Sequence, residues 1–163
     1  YYQTGRDPSE RNKRMNFEHT CTVPVSRATL WDFLMDVPKM ATCVPGVSDV
    51  AAADADQYTG RMRIKFGPIR LTLNGELWIE ERDQPNWRAT GKAEANDRRV
   101  GGGVHINAEL NLIELDSTQT ELAIQTEARL MGKLGEFGQA VIRKKADNIV
   151  AEFALNIAAR FAE

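Results

Sequence analysis

The chain has 163 residues, a length typical of one domain that buries a hydrophobic core of its own. Hydrophobic residues make up 42% and charged residues 27%, as in ordinary globular proteins, and the formal net charge is -2. That charge argues against a nucleic-acid-binding protein, which needs a basic surface, and no apolar run approaches the roughly 18–20 residues of a membrane-spanning helix. Since no signal peptide is visible, we expect a cytoplasmic protein.

The N-terminal segment differs from the rest of the chain because it shows no apolar periodicity and is rich in basic residues. We predict a flexible tail, native or added, over residues 1–14 and a single folded domain over residues 15–163. A basic arm that contacts anionic lipid or a partner protein is the alternative interpretation of the tail.

The folded region is predicted to begin with a strand and two short helices. Residues 16–24 alternate between apolar and polar side chains, which indicates a half-buried strand. Ser26 is a favourable N-cap for a short helix over residues 27–36, and Pro38 suits the first turn of a second one. The Pro45-Gly46 pair then ends the second helix with a turn.

The middle of the chain is predicted to form six further strands. Alternating runs over residues 59–66, 69–79, 87–94, 104–112 and 122–130 follow a first strand that starts near Val47. Short turns join most of them, which favours antiparallel neighbours because parallel strands need long crossovers. One face of the sheet carries the apolar side chains and the other the polar ones, so one face packs on a core and the other meets water.

The C-terminal segment is predicted to be a long helix. From about Gly135, apolar residues recur at intervals of three and four, and the helix is expected to exceed 25 residues, hence about 40 Å. Its only sizeable partner is the apolar face of the sheet. The predicted fold class is therefore α+β, a curved antiparallel sheet of about seven strands around a long C-terminal helix, with two short helices after the first strand.

Small inward-facing residues on the strands indicate a cavity between the helix and the sheet. Gly60, Ala93 and Ala108 are examples, and small residues facing small residues leave space for a lipophilic ligand. The alternative, that large aromatic side chains fill this gap, is equally compatible with the composition. The predicted ligand-binding residues are Met62, Ile64, Phe66, Leu71, Leu73, Trp87, Ala89, Gly91, Ala108, Leu110, Ile124, Phe137, Val141, Ile142, Ala146, Ile149 and Phe153.

No motif for catalysis or metal binding is recognisable. His19 and His105 have opposite strand parities in separate strands, and nothing near them has the spacing of a metal site. Neither a nucleophile elbow nor a dinucleotide-binding fingerprint is present. Cys21 and Cys43 are not paired in a CxxC motif, so we interpret them as buried or half-buried thiols. We therefore predict no catalytic residue, no metal site and no enzymatic activity.

Several short motifs in a fixed order resemble those of a known family. They are Val23-Pro24-Val25-Ser26 with Leu30-Trp31-Asp32-Phe33-Leu34, Cys43-Val44-Pro45-Gly46, Tyr58-Thr59-Gly60, Lys65-Phe66-Gly67-Pro68-Ile69, Asn74-Gly75-Glu76, and Gly132-Lys133-Leu134-Gly135-Glu136-Phe137-Gly138. Over residues 15–161 the chain resembles the CoxG family of carbon monoxide dehydrogenase subunits, within the START/Bet v 1-like (SRPBCC) superfamily.

The resemblance implies a helix-grip fold and a role beside a redox enzyme. Family members accompany molybdenum-containing carbon monoxide dehydrogenases and related hydroxylases, and are linked to membrane docking and quinone binding. It therefore implies a non-catalytic protein that holds a respiratory quinone, menaquinone or ubiquinone, and that supports electron transfer from the dehydrogenase or its recruitment to the inner face of the cell membrane. A polyketide cyclase or aromatase-like enzyme and a pure assembly factor for the dehydrogenase are the alternatives.

Overall fold

The computed structural model describes residues 13–162 of the chain. Its elements in order are β1 (Lys13–Val23), α1 (Arg27–Met35), α2 (Val37–Ala41), β2 (Val47–Asp54), β3 (Gln57–Phe66), β4 (Ile69–Asp83), β5 (Arg88–Asp97), β6 (Gly102–Asp116), β7 (Gln119–Gly132) and α3 (Gln139–Phe161).

All seven strands lie in one curved antiparallel sheet with the order β1-β7-β6-β5-β4-β3-β2. From β2 to β7 each strand pairs with the next one along the chain, and β1 closes the other edge by pairing with β7. The predicted fold class is confirmed, with α1 and α2 after the first strand and α3 at the C-terminal end.

The two short helices form where the sequence predicts them because each has a side-chain cap. The Ser26 hydroxyl accepts a hydrogen bond from the backbone N–H of Thr29 at 3.3 Å and begins α1. The Asp36 carboxylate accepts one from the N–H of Lys39 at 3.3 Å, and Pro38 occupies the first turn of α2. These caps fix the starting points of α1 and α2, which lie opposite the sheet.

Two predicted boundaries are wrong. β1 begins at Lys13, and Lys13 and Arg14 pair with Leu130 and Arg129 of β7, so both belong to the sheet and not to the tail. The rest of the predicted tail lies outside the described residues. α3 has 23 residues and not more than 25, because a 3₁₀ turn over Lys133–Glu136 occupies the chain just before it. At 1.5 Å per residue α3 is about 34 Å long.

Most of the buried hydrophobic residues form two separate clusters. The first core cluster joins α1 to the sheet through Leu30, Trp31 and Leu122 and includes Phe153 and Ile157 of α3. The second lies towards the start of α3 and contains Met15, Phe17, Phe66, Leu71, Leu73, Ala128, Leu130, Leu134 and Ile142. The inner face of the sheet between these clusters is where the candidate site lies.

Candidate functional site

Two neighbouring apolar recesses lie on the inner face of the sheet. The larger recess, of about 280 Å³, lies between α2, the start of β2 and the strands β3 to β5. Its side-chain walls include Val37, Met40, Ala41, Val44, Val47, Val50, Tyr58, Met62, Leu73, Leu77, Ala93 and Ala95.

The smaller recess, of about 180 Å³, lies between the ends of α1 and α2 and the strands β4 to β7. It is lined by Leu34, Met35, Met40, Leu77, Ile79, Ala89, Gly91, Ala93, Ile106, Ala108, Leu110, Leu122, Ile124 and Phe153, together with Thr90 and Lys92 of β5. The long helix thus contributes one side chain, Phe153, to the walls, and the short helices contribute more than the sequence indicates.

A row of small residues across three strands creates the floor of the larger recess. Gly60 of β3 pairs with Gly75 of β4, and Gly75 pairs with Ala95 of β5. A Cβ atom on Gly75 would lie 2.4 Å from the carbonyl oxygen of Glu94, closer than side chains tolerate. The backbone therefore requires glycine at this point, and the missing side chains leave the recess open.

The charged residues that border the larger recess direct their side chains away from it. Arg61, Glu76 and Glu94 occupy strand positions that alternate with the inward-facing ones, so their side chains project to the outer face of the sheet. Tyr58 is the residue at an inward-facing position of this wall whose side chain carries a polar group, a phenolic hydroxyl. Such walls suit a lipophilic molecule that has few polar groups.

The buried polar side chains of the described region serve the fold and line neither recess. Asp97 accepts hydrogen bonds from the N–H groups of Thr72 at 2.8 Å and Val100 at 3.1 Å, and the hydrogen bond from Thr72 in particular lowers the pKa of its carboxyl group. The Thr120 hydroxyl donates to the carbonyl oxygen of Val25 at 2.9 Å.

Eight of the seventeen predicted ligand-binding residues line a recess. Met62 and Leu73 line the larger one, and the other six line the smaller one: Ala89, Gly91, Ala108, Leu110, Ile124 and Phe153.

The structure places the other nine predicted residues elsewhere. Six belong to the second core cluster or pack against it: Ile64, Phe66, Leu71, Phe137, Ile142 and Ala146. Trp87 packs against the first core cluster, with its ring 5.9 Å from that of Trp31. Val141 is exposed on α3, and Ile149 is half-buried there without lining either recess.

The helix α2 and the strand β2 contribute wall residues that were not predicted from the sequence. Val37, Met40, Ala41 and Val44 face the sheet across the larger recess, and Val47 and Val50 close its side. The available signal was the apolar residues on both sides of Pro38. A short helix with apolar side chains is expected to pack them against another part of the protein.

The histidines take part in contacts between elements. The Nε2 atom of His19 lies 2.8 Å from Oδ1 of Asp147 on α3. The Nδ1 atom of His105 lies 3.1 Å from Nη2 of Arg129 on β7. Within residues 13–162 no group of three or more His, Cys, Asp or Glu side chains has the arrangement of a metal site. Among those same residues, no helix combines the length and apolar character needed to cross a membrane.

Solved structures share this architecture at low sequence identity. A conserved protein from Geobacillus kaustophilus is 17% identical, with a TM-score of 0.83 over 91% of this chain and 95% of the other. The Zhui aromatase/cyclase from Streptomyces sp. R1128 is 14% identical, with a TM-score of 0.66 over 91% and 93%. Norcoclaurine synthase from Thalictrum flavum is 11% identical, with a TM-score of 0.62 over 99% and 94%. These similarities confirm the helix-grip fold.

The sequence itself identifies the family to which the chain belongs. No curated protein matches the chain significantly. The family model for CoxG, a subunit of carbon monoxide dehydrogenase, however, matches residues 20–162, which include both recesses and all elements from the end of β1 to α3. The chain therefore belongs to the CoxG family of carbon monoxide dehydrogenase subunits.

Proposed function

We propose that the protein is a non-catalytic carrier that holds a lipophilic small molecule in the recesses on the inner face of its sheet. The observation that carries the proposal is the apolar character of the walls, formed by aliphatic, methionine and phenylalanine side chains from α1, α2, the strands and Phe153. Apolar concave surfaces with few polar groups favour ligands that gain free energy by leaving water.

The ligand we propose is a respiratory quinone, menaquinone or ubiquinone, and the carrier serves a molybdenum-containing carbon monoxide dehydrogenase. Two observations support this. The family name links the chain to a carbon monoxide dehydrogenase. Tyr58, on the wall of the larger recess, offers a phenolic O–H that can donate a hydrogen bond to a quinone carbonyl oxygen. In this role the protein passes electrons from the dehydrogenase onward or recruits it peripherally to the membrane.

An enzyme of the cyclase or aromatase class needs convergent polar groups to move protons on its substrate. On the described recess walls the titratable side chain at an inward-facing position is Tyr58, whereas the acids and bases that border the recesses, Arg61, Glu76, Lys92 and Glu94, occupy the alternate strand positions that face the outer side of the sheet. This favours binding over catalysis, although the fold also occurs in a cyclase.

A matched pair of variants tests the carrier function. Ala95→Phe places a ring on the floor of the larger recess, whereas Ala123→Phe makes the same change on the outer face of β7. The affinity for quinone, measured by the quenching of tryptophan fluorescence, is expected to fall at least about tenfold in Ala95→Phe and to stay unchanged in Ala123→Phe. Mass spectrometry of lipids extracted from the wild type identifies the ligand.

Equal loss in both variants, or no quinone binding by the wild type, would overturn the carrier proposal. The same variants separate carriage from assembly. If Ala95→Phe still binds the dehydrogenase in a pull-down and fully supports its activity, the recess is not the functional part and the protein is an assembly factor.

A further inference from the structure

The two recesses share three wall residues, which makes them parts of one trough. Met40, Leu77 and Ala93 line both spaces. Leu77 and Ala93 are direct cross-strand partners on β4 and β5 and form the floor at the boundary. Met40 comes from α2 on the opposite side and is the helix residue that lines both recesses.

The sizes of the recesses favour a ligand site that uses both of them. Pockets that enclose small-molecule ligands typically have volumes of about 300–1,000 Å³. The larger recess, at about 280 Å³, is at the lower limit of that range and the smaller one, at about 180 Å³, is below it, whereas the joined trough lies well within it.

Methionine is suited to a movable partition. Its side chain is unbranched, has three rotatable bonds and packs with little penalty in several rotamers. Met40 is half-buried and packs against the edge of the first core cluster. A change of its rotamer would widen the boundary while α2 and the sheet stay in place.

We propose that Met40 is a gate within a single ligand site, and that the site takes a lipophile with a compact ring in the larger recess and a flexible hydrocarbon branch in the smaller one. This inference rests on the proposed carrier function. It assigns the ring to the side of Tyr58 and the branch to the space between Ala108 and Phe153.

The test uses 2-methyl-1,4-naphthoquinone and the same ring carrying two prenyl units. The wild type is expected to bind the prenylated probe at least about tenfold more tightly. Ala108→Phe fills the smaller recess alone, and it should abolish that difference while leaving the affinity for the bare ring unchanged. Ala108→Leu, a milder change that keeps the fold if the phenylalanine does not, should reduce the difference.

Met40→Ala removes the partition and should accelerate association of the prenylated probe in stopped-flow fluorescence. Met131→Ala is the matched control, since Met131 lies on β7 opposite Gly103 and lines neither recess, and its association rate should equal that of the wild type. If Ala108→Phe weakens both probes equally or neither, or if the two methionine variants behave alike, the single gated site is wrong and the carrier function stands. If the wild type binds neither probe, both proposals fail.

Discussion

The imidazole of His19 lies 2.8 Å from the carboxylate of Asp147 and joins β1 to the middle of α3. His19 also stacks on Phe17, with ring centroids 6.2 Å apart, and its side chain is only 15% exposed. One turn earlier on the helix, Arg143 donates a hydrogen bond to the carbonyl oxygen of Asn16 at 3.1 Å. These contacts hold α3 against the edge strand of the sheet.

Replacement of Asp147 and replacement of His19 should lower the free energy of unfolding by different amounts. Asp147 is 60% exposed, so Asp147→Ala should lower the free energy of unfolding by only about 0.2–1 kcal/mol. His19→Ala should cost more, because it also removes a nearly buried ring. Urea unfolding of both single variants and the double variant measures the coupling, with Glu152→Ala on the same helix as the control. Strictly additive losses would show that the pair contributes nothing.

Gly60 and Gly75 are cross-strand partners whose replacement by alanine should affect stability to very different extents. Gly75→Ala forces a Cβ to within 2.5 Å of the Ala95 Cβ, whereas on Gly60 the nearest atom would be the Val50 Cγ2 at an ordinary 3.5 Å. Gly75→Ala should therefore destabilise the protein by about 1–3 kcal/mol. Gly60→Ala should leave stability almost unchanged and weaken ligand binding, because its methyl group enters the larger recess.

Thermal unfolding and ligand titration of the two alanine variants check these expectations together. Equal stability of both variants would mean that the sheet relaxes around Gly75. Unaltered ligand affinity in Gly60→Ala would remove the floor of the larger recess from the site.

The fold could be predicted from the sequence because its signals are local. Leu71 and Leu73 alternate with polar residues and are both buried on the inner face, as period two requires. Ile142, Phe153 and Ile157 recur at helical spacing and are the buried residues of α3. Short turns then leave antiparallel pairing as the simple solution.

The site could be predicted only in part. The alternation of side chains along a strand predicts which face of the sheet a residue lies on, but not where on that face it lies. Gly60 and Phe66 share the inner face of β3, yet Gly60 lies in the larger recess while Phe66 stacks on Phe137 at 4.6 Å in the second core cluster. Which part of the face stays open depends on where α2 and α3 pack. Those contacts join residues that are far apart in the chain, so no local sequence pattern predicts them.

Asp97 should make the protein sensitive to acid. The pKa of its carboxyl group is lowered, first by the hydrogen bond from the N–H of Thr72, so the charged form is favoured in the folded state. Its contribution is fully present above the unfolded pKa of about 3.9 and is lost as the pH falls through the lower folded value.

Asp97→Asn should therefore be less stable than the wild type near neutral pH and should lose less stability on acidification. Urea midpoints measured from about pH 7 to about pH 2.5 test this sign. Asp116→Asn is the control, since Asp116 accepts a similar hydrogen bond from the N–H of Thr118 in an exposed hairpin turn. Parallel pH curves for the wild type and Asp97→Asn would contradict the expectation.

Cys21 should react slowly with thiol reagents despite its partial exposure. Burial raises the pKa of its thiol, and the negative charge of Glu121 raises it further, so little of the reactive thiolate is present. In a Cys43→Ala background, the rate with a disulfide reagent should still be rising with pH above about 8.5, the ordinary pKa of a cysteine.

Glu121→Gln isolates the electrostatic part of this effect. It should lower the pKa of the Cys21 thiol and accelerate the reaction near pH 8, while burial keeps the rate below that of the urea-unfolded chain. Glu127→Gln removes an exposed charge from the same outer face of β7 and should leave the rate unchanged. Equal rates in the two glutamine variants would leave burial as the sole cause of the low reactivity, because no charge effect would remain to be explained.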